Sequence, residues 1–245
     1  MIQSEAGRSM RGAFVAVTSL FFMWGFITVL VDALIPRLKE VFELTFLQAG
    51  LVQFAWFAAY GILSIPGGNL ISRIGYQRGI LVGLATAGFG CLLFYPAAAT
   101  RMYPLFLLAL FVVAGGITVL QVAANPYISV LGPDESASTR LNLSQAFNSF
   151  GTTIAPVVAA SFLLGDEILS GKNIEALSET ARLDYYAGEA SAVQVPFVLL
   201  ALAFFALAAA VGAISLPKIL GEGSAEKATA YASVLRNKKL LFGAL

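Results

Sequence analysis

The sequence predicts an all-α polytopic membrane fold, six transmembrane helices built as two three-helix units of inverted topology. Three observations carry this. The 245 residues are 58% hydrophobic and only 12% charged, with a mean hydropathy of +0.82, which is too apolar for a soluble globular domain. Six segments reach the roughly 17 to 25 mainly apolar residues that a spanning helix needs. Finally, "LVQ" followed by "YGILSIP" (Leu51–Gln53, Tyr60–Pro66) is echoed by "LSQ" followed by "FGTTIAP" (Leu143–Gln145, Phe150–Pro156). The Gly-to-Pro spacing is the same in both, and the two helices would run in opposite directions.

In order, the expected spans are Phe14–Pro36, Ala49–Leu70, Gly79–Ala99, Tyr103–Val130, Leu141–Leu164 and Val195–Leu216. The first follows a short polar tip, is too long for a cleavable signal core and lacks a clear small-residue cleavage site, so it is expected to be retained. On it Trp24, Thr28 and Asp32 recur every four residues and form one stripe. On the second, Gln53, Trp56, Tyr60 and Ser64 follow at three and four. The third has no such stripe and holds the single cysteine, Cys91, most simply a small buried hydrophobe. Gly115, Thr118, Gln121 and Asn125 align on the fourth, and Asn142, Gln145, Asn148 or Ser149, and Thr152 on the fifth. The sixth is again without a stripe. Amides at membrane depth either glue helices together or line a polar cavity. Four stripes on four helices favour a cavity walled by the first, second, fourth and fifth.

Short basic loops stay on the cytoplasmic side. With the N-terminus inside, the inner segments hold Arg8, Arg11, Arg73, Arg78, Arg140, Lys218, Lys227, Arg236, Lys238 and Lys239. The outer ones hold only Arg37, Lys39, Arg101, Lys172 and Arg182. The long fifth loop, Gly165 to Gln194, carries Asp166, Glu167, Glu175, Glu179, Asp184 and Glu189, which is compatible with an external position. The expected setting is a cell (inner) membrane with a cytoplasmic N-terminus. At "NKKLLFGAL", Asn237 to Leu245, a basic loop turns apolar as if a seventh span were beginning. The expected organisation is a six-helix domain at 1–216, a cytoplasmic central loop at 217–237 and the start of a seventh helix at 238–245, as in a truncated chain.

Missing residues prune the chemistry. There is no His and only one Cys, so His-based metal sites, His-dependent triads and internal disulfides are excluded. No G-x-x-x-x-G-K-[ST] loop is present to bind ATP as a primary pump does. An enzyme is not expected, nor a cofactor, nor a nucleic-acid partner.

The blocks "FFMWGFITVLVDALIP", "GLVQFAWFAAYG", "RIGYQRGILVGL", "LQVAANPY", "LGP" and "RLNLSQAFNSFGTT" together resemble the major facilitator superfamily. Within it they are most similar to the fucose:proton symporter family and its glucose/galactose transporter branch. The resemblance covers nearly all of Phe21 to Leu164. It implies the N-terminal half of a polytopic sugar carrier driven by a proton or sodium gradient, with a monosaccharide as substrate, the bilayer as surroundings and a missing C-terminal six-helix half as partner. Asp32 matches the family's cation-coupling acid, although Val31 replaces the asparagine usual before it. Gln121 stands where the fucose branch has Glu and the glucose/galactose branch has Gln. Gln145 and Asn148 match the amide-rich motif of the fifth helix, a position that suggests contacts with sugar hydroxyls. The gating-loop pattern G-x-x-x-D-[RK]-x-G survives as Gly68, Arg73 and Gly75, followed by Arg78, but Ser72 replaces its acid.

Gln121 offers donors and an acceptor, as a sugar hydroxyl requires. Asn125 has two readings: a sugar ligand, or a hinge and packing device beside Pro126, whose ring removes one helical hydrogen bond. Trp24 and Trp56 likewise either stack on a sugar ring or pack. A carboxylate at membrane depth is costly when charged, by roughly 2.5 to 3.5 kcal/mol on insertion scales. Binding a proton to Asp32 removes that cost, and sodium coordination is the other way to do so. The alternatives to the carrier are a non-transporting membrane assembly subunit, which leaves the four polar stripes unexplained, and an orphan half-transporter.

Overall fold

The computed structural model describes residues 2–41, 44–163, 173–174 and 176–214. Its elements are α1 (Ile2–Val41), α2 (Phe46–Ile74), α3 (Tyr76–Thr100), α4 (Tyr103–Val130), a 3-10 turn (Asp134–Ser136), α5 (Ala137–Leu163) and α6 (Glu179–Ala213). Residues 217–245, expected to form the central loop and a seventh helix, lie outside the described residues.

Two expected boundaries move. The first span was expected to end at Pro36, but α1 continues to Val41. The sixth was expected to begin at Val195, but α6 begins at Glu179, so part of the supposed outer loop is helix. Ser178 caps it by accepting from Ala181 N at 3.3 Å. At 35 residues α6 is about 52 Å long, well beyond a hydrocarbon core of roughly 30 Å. Its first turns are polar because they extend past the apolar layer. Hydropathy marks only the apolar part of such a helix.

Five of the helices among the described residues are long and apolar enough to cross a membrane. The exception is α5, which has the length, 27 residues, but carries Asn142, Ser144, Gln145, Asn148, Ser149, Thr152 and Thr153. Its polarity serves packing. Ser144 Oγ lies 3.2 Å from Thr18 Oγ1, and Asn148 Nδ2 donates to the Phe21 carbonyl at 3.0 Å. Gly151 sits so close to the backbone of Phe22 that no side chain fits. Contacts therefore advance along α1 and α5 in the same direction, and the two helices are parallel.

The same holds for α2 and α4: Tyr103 Oη donates to the Gln48 carbonyl at 2.6 Å, Leu63 meets Gly115, and Gly67 meets Val119. Antiparallel seams join α3 to α4 and α3 to α6. In the first, a Cβ on Gly83 would lie 2.9 Å from the Gly116 carbonyl, and one on Gly90 would lie 2.6 Å from Val113 N. In the second, the Phe94 and Phe197 rings stack with centroids 3.7 Å apart. Exchanging α1–α3 with α4–α6 turns the α1–α5 pair into the α4–α2 pair and maps α3–α6 onto itself. That is the pairing an inverted repeat requires.

The helix ends sort into two groups. At one end the Tyr76 and Tyr127 rings meet at 5.5 Å, and Gln77 Nε2 donates to the carbonyls of Val211 and Ile214. Arg140 closes the last turn of α4 there, donating to the carbonyls of Ile128, Ser129 and Pro133 and to Ser136 Oγ. The Ile128 and Ser129 carbonyls belong to the last turn, which lacks helical partners, and a cation suits the negative end of the helix. At the opposite end Arg101 lies 3.8 Å over the Tyr186 ring. Arg73, Arg78 and Arg140 thus share one end, and Arg101 lies at the other, as the charge distribution predicts.

Candidate functional site

The stripes on α1 and α2 face one another across a cavity. These helices touch little otherwise, and between them lies a space of about 260 Å³ lined by Thr28, Asp32, Gln53, Trp56, Phe57 and Tyr60. Spacing of three and four along each helix is what turns these side chains to one side. Gln53 Nε2 donates to Asp32 Oδ1 at 2.9 Å, joining the helices across the cavity. Thr28 Oγ1 is turned back onto the Trp24 carbonyl at 2.9 Å, a local bond that satisfies the hydroxyl within its own helix.

Gln121 joins this group from α4. Its Nε2 donates to Tyr60 Oη at 2.9 Å, and the indoles of Trp56 and Trp24 come close to the same hydroxyl. Asp32, Trp24 and Gln121 are therefore brought together, with α2 as the common neighbour. Asn148 stands apart, tying α5 to the α1 backbone at Phe21, and half-buried Gln145 is not among the cavity-lining residues. Asn125 lies one turn beyond Gln121 in a helix that continues through Pro126. Among the described residues its buried Oδ1 has no hydrogen-bond partner.

The gating-loop residues occupy the α2–α3 junction. Gly75 is the single residue between the helices, at φ 84, where a side chain is disfavoured, and its N–H donates to the Ile71 carbonyl at 2.8 Å. Arg73 and Arg78 are exposed on either side. Ser72, which replaces the acid of the pattern, donates to the Asn69 carbonyl at 2.8 Å.

The helix pairing and this polar cluster can be set beside known proteins. The sequence model of the Major Facilitator Superfamily matches residues 12–244. The chain belongs to the Major Facilitator Superfamily. It is 48% identical over 233 residues to the glucose/galactose transporter of Brucella abortus biovar 1, covering 95% of this chain and 53% of that protein. It is 39% identical over 202 residues to the L-fucose-proton symporter of Escherichia coli K12, covering 81% of this chain and 46% of that one. Crystal structures of FucP, one from E. coli as the fucose:proton symporter and one in the outward conformation, superpose with TM-scores of 0.81 at 33% and 35% identity. They cover 93% and 94% of this chain and 56% of those chains. The chain spans about half the length of the curated relatives it matches. As a superfamily member with long apolar helices it is a multi-pass membrane protein.

Four cavity residues received no role from the sequence, although three of them, Thr28, Gln53 and Tyr60, stood in its stripes. Phe57 carried no signal at all. Its side chain is two-thirds exposed, and an apolar residue at a cavity mouth looks like one facing lipid.

Proposed function

We propose that this chain is the N-terminal half of a secondary active transporter that carries a monosaccharide such as glucose, galactose or fucose together with a proton or sodium ion by alternating access. One observation carries the reading: an acid, two amides and a phenol from three helices converge at a cavity in an apolar bundle. The 48% identity to a glucose/galactose transporter supports this substrate class. Alternating access in this fold places the site between two halves, so the opposite wall belongs to a C-terminal six-helix half.

In this mechanism Asp32 is the coupling group, and no other cofactor is used. Gln53 donates to its carboxyl in either protonation state and holds it at the cavity wall while its charge changes. Cation binding removes the cost of a charge at membrane depth and lets the loaded carrier turn inward; loss of the cation inside releases both ligands. Gln121 reads a sugar hydroxyl, and Trp24 offers an aromatic face to the ring. Gln145 and Asn148 add amides on α5, with Asn148 also fastening α5 to α1. Asn125 beside Pro126 acts as the hinge. The turn at Gly68, Arg73, Gly75 and Arg78 lies on the cytoplasmic side, with the N-terminus, in a cell (inner) membrane, as the excess of Lys and Arg at that end supports.

The test is Asp32→Asn in the full-length carrier, reconstituted in liposomes with either a proton or a sodium gradient imposed. Accumulation against a sugar gradient should vanish while exchange of labelled for unlabelled sugar persists. Uphill uptake at the wild-type rate would remove Asp32 from coupling.

A further inference from the structure

We infer that Tyr60 is a substrate-reading hydroxyl whose polarity is set by Gln121, so that the pair acts as a specificity determinant on this half of the carrier. The inference rests on the sugar-carrier reading. Tyr60 Oη accepts the Gln121 N–H at 2.9 Å. A phenol so engaged keeps one proton to give, and among the described residues that proton goes to no acceptor. Tyr60 lines the 260 Å³ cavity with Thr28, Asp32, Gln53, Trp56 and Phe57. The Thr28 hydroxyl is turned onto its own helix, and the Gln53 amide onto Asp32. Tyr60 is thus the cavity group with an O–H to direct at a ligand.

Position 121 decides which way that hydroxyl works. With Gln121 the amide N–H occupies the phenol oxygen, and the phenol proton turns to the cavity, where it suits a sugar oxygen that accepts. A carboxylate at position 121 would have acceptors only. The phenol proton would then turn to it, and the cavity would meet an oxygen that accepts instead. One amide-to-acid exchange therefore inverts the hydrogen-bond character of the site. Such a site discriminates between sugars that differ in one hydroxyl, because an analogue lacking it leaves the half-buried phenol donor unpaired.

The experiment is equilibrium binding to the purified full-length carrier of D-glucose, D-galactose, L-fucose and the monodeoxy forms of whichever sugar binds. Tyr60→Phe keeps the ring and its packing and removes only the hydroxyl. It should weaken the parent sugar roughly ten- to a hundred-fold and leave one deoxy analogue at its wild-type affinity, the one lacking the hydroxyl that Tyr60 reads. Equal weakening of every sugar, or no weakening, would overturn the assignment. Gln121→Glu supplies the second arm. Adding Tyr60→Phe to it should cost less than about three-fold, because the hydroxyl is already turned away; full multiplicative losses would overturn the link between the two residues. If the wild-type carrier binds none of these sugars, the carrier reading fails first and takes this inference with it. Wild-type binding with an unaltered Tyr60→Phe profile removes Tyr60 alone.

Discussion

A single methyl group at Gly25 should loosen the bundle where α1 and α5 meet. A Cβ built on Gly25 would overlap the Asn148 carbonyl oxygen and come within 2.8 Å of Asn148 Nδ2. The oxygen belongs to the backbone of a packed helix and cannot swing aside. The amide is also held, because it donates to the Phe21 carbonyl at 3.0 Å. Relief requires α5 to move off α1, the kind of backbone shift forced when extra atoms enter a packed core. Overpacking of this kind costs about 1 to 3 kcal/mol, and losing an interhelical hydrogen bond within a membrane adds about 0.6 to 1.7 kcal/mol. Replacing Gly by Ala within a helix returns up to about 1 kcal/mol. The net expectation for Gly25→Ala is a loss of about 0.6 to 3.7 kcal/mol, centred near 2, or roughly 3- to 500-fold in the unfolding equilibrium.

Gly61→Ala is the matched control. Nothing lies within 4 Å of its added methyl, so only the helix-propensity gain remains, and the variant should be neutral or slightly more stable. The single thiol, Cys91, is fully buried on α3 and reacts with a maleimide fluorophore only when the bundle opens. Titration of the isolated chain with denaturing detergent, read by that reaction, gives both values. Equal midpoints for the two variants would refute the close α1–α5 seam, and with it the role of Asn148 as a fastener.

Further outcomes follow from the same geometry. Single-cysteine labelling in a Cys91→Ala background should place Arg73, Arg140 and Lys227 on the inside and Lys172 on the outside; Arg73 and Lys172 on one side would undo the six-span topology. Gln121→Ala in the full-length carrier should weaken sugar binding by roughly 1 to 3 kcal/mol, the cost of leaving partners unpaired, whereas Cys91→Ala on α3 should leave it unchanged. Normal binding by the folded Gln121→Ala carrier would take Gln121 out of sugar recognition. The isolated 245-residue chain should insert in a membrane yet accumulate no sugar, since half a cavity has no facing wall; gradient-driven uptake would refute this unless crosslinking showed two copies paired.

The helices could be read from composition because lipid leaves a spanning segment few alternatives: with no water to satisfy the backbone, an apolar stretch must be helical. Tyr103–Val130 has the same bounds in sequence and structure for this reason. The ends of α1 and α6 could not be read so well. Beyond the apolar layer the helix is held by caps and by neighbours, and hydropathy is silent there. The Ser178 cap was visible in principle, a serine just ahead of Glu179. So was the capping box at the start of α2, where Thr45 and Gln48 exchange hydrogen bonds at 3.3 and 2.9 Å.

The polar stripes were legible as stripes, but periodicity gives a direction around one helix and says nothing about which neighbour lies that way. The stripe on α1 and the one on α2 turned to each other and made a cavity, while the one on α5 divided. Ser144, Asn148 and Gly151 face α1, Ala155 and Ala159 are buried, and Asn142, Ser149 and Thr153 are exposed. A small residue every three or four positions beside an amide is the pattern of a close helix–helix seam, and "SQAFNSFGTTIAPVVAA" contains it. That pattern by itself points to packing for Asn148. Gln121 also has small residues on its side of α4, Gly115 and Thr118, but its own partner is a phenol on α2. An amide whose partner is another polar side chain at a cavity, rather than a backbone carbonyl across a seam, is free to exchange that partner for a ligand hydroxyl without separating two helices.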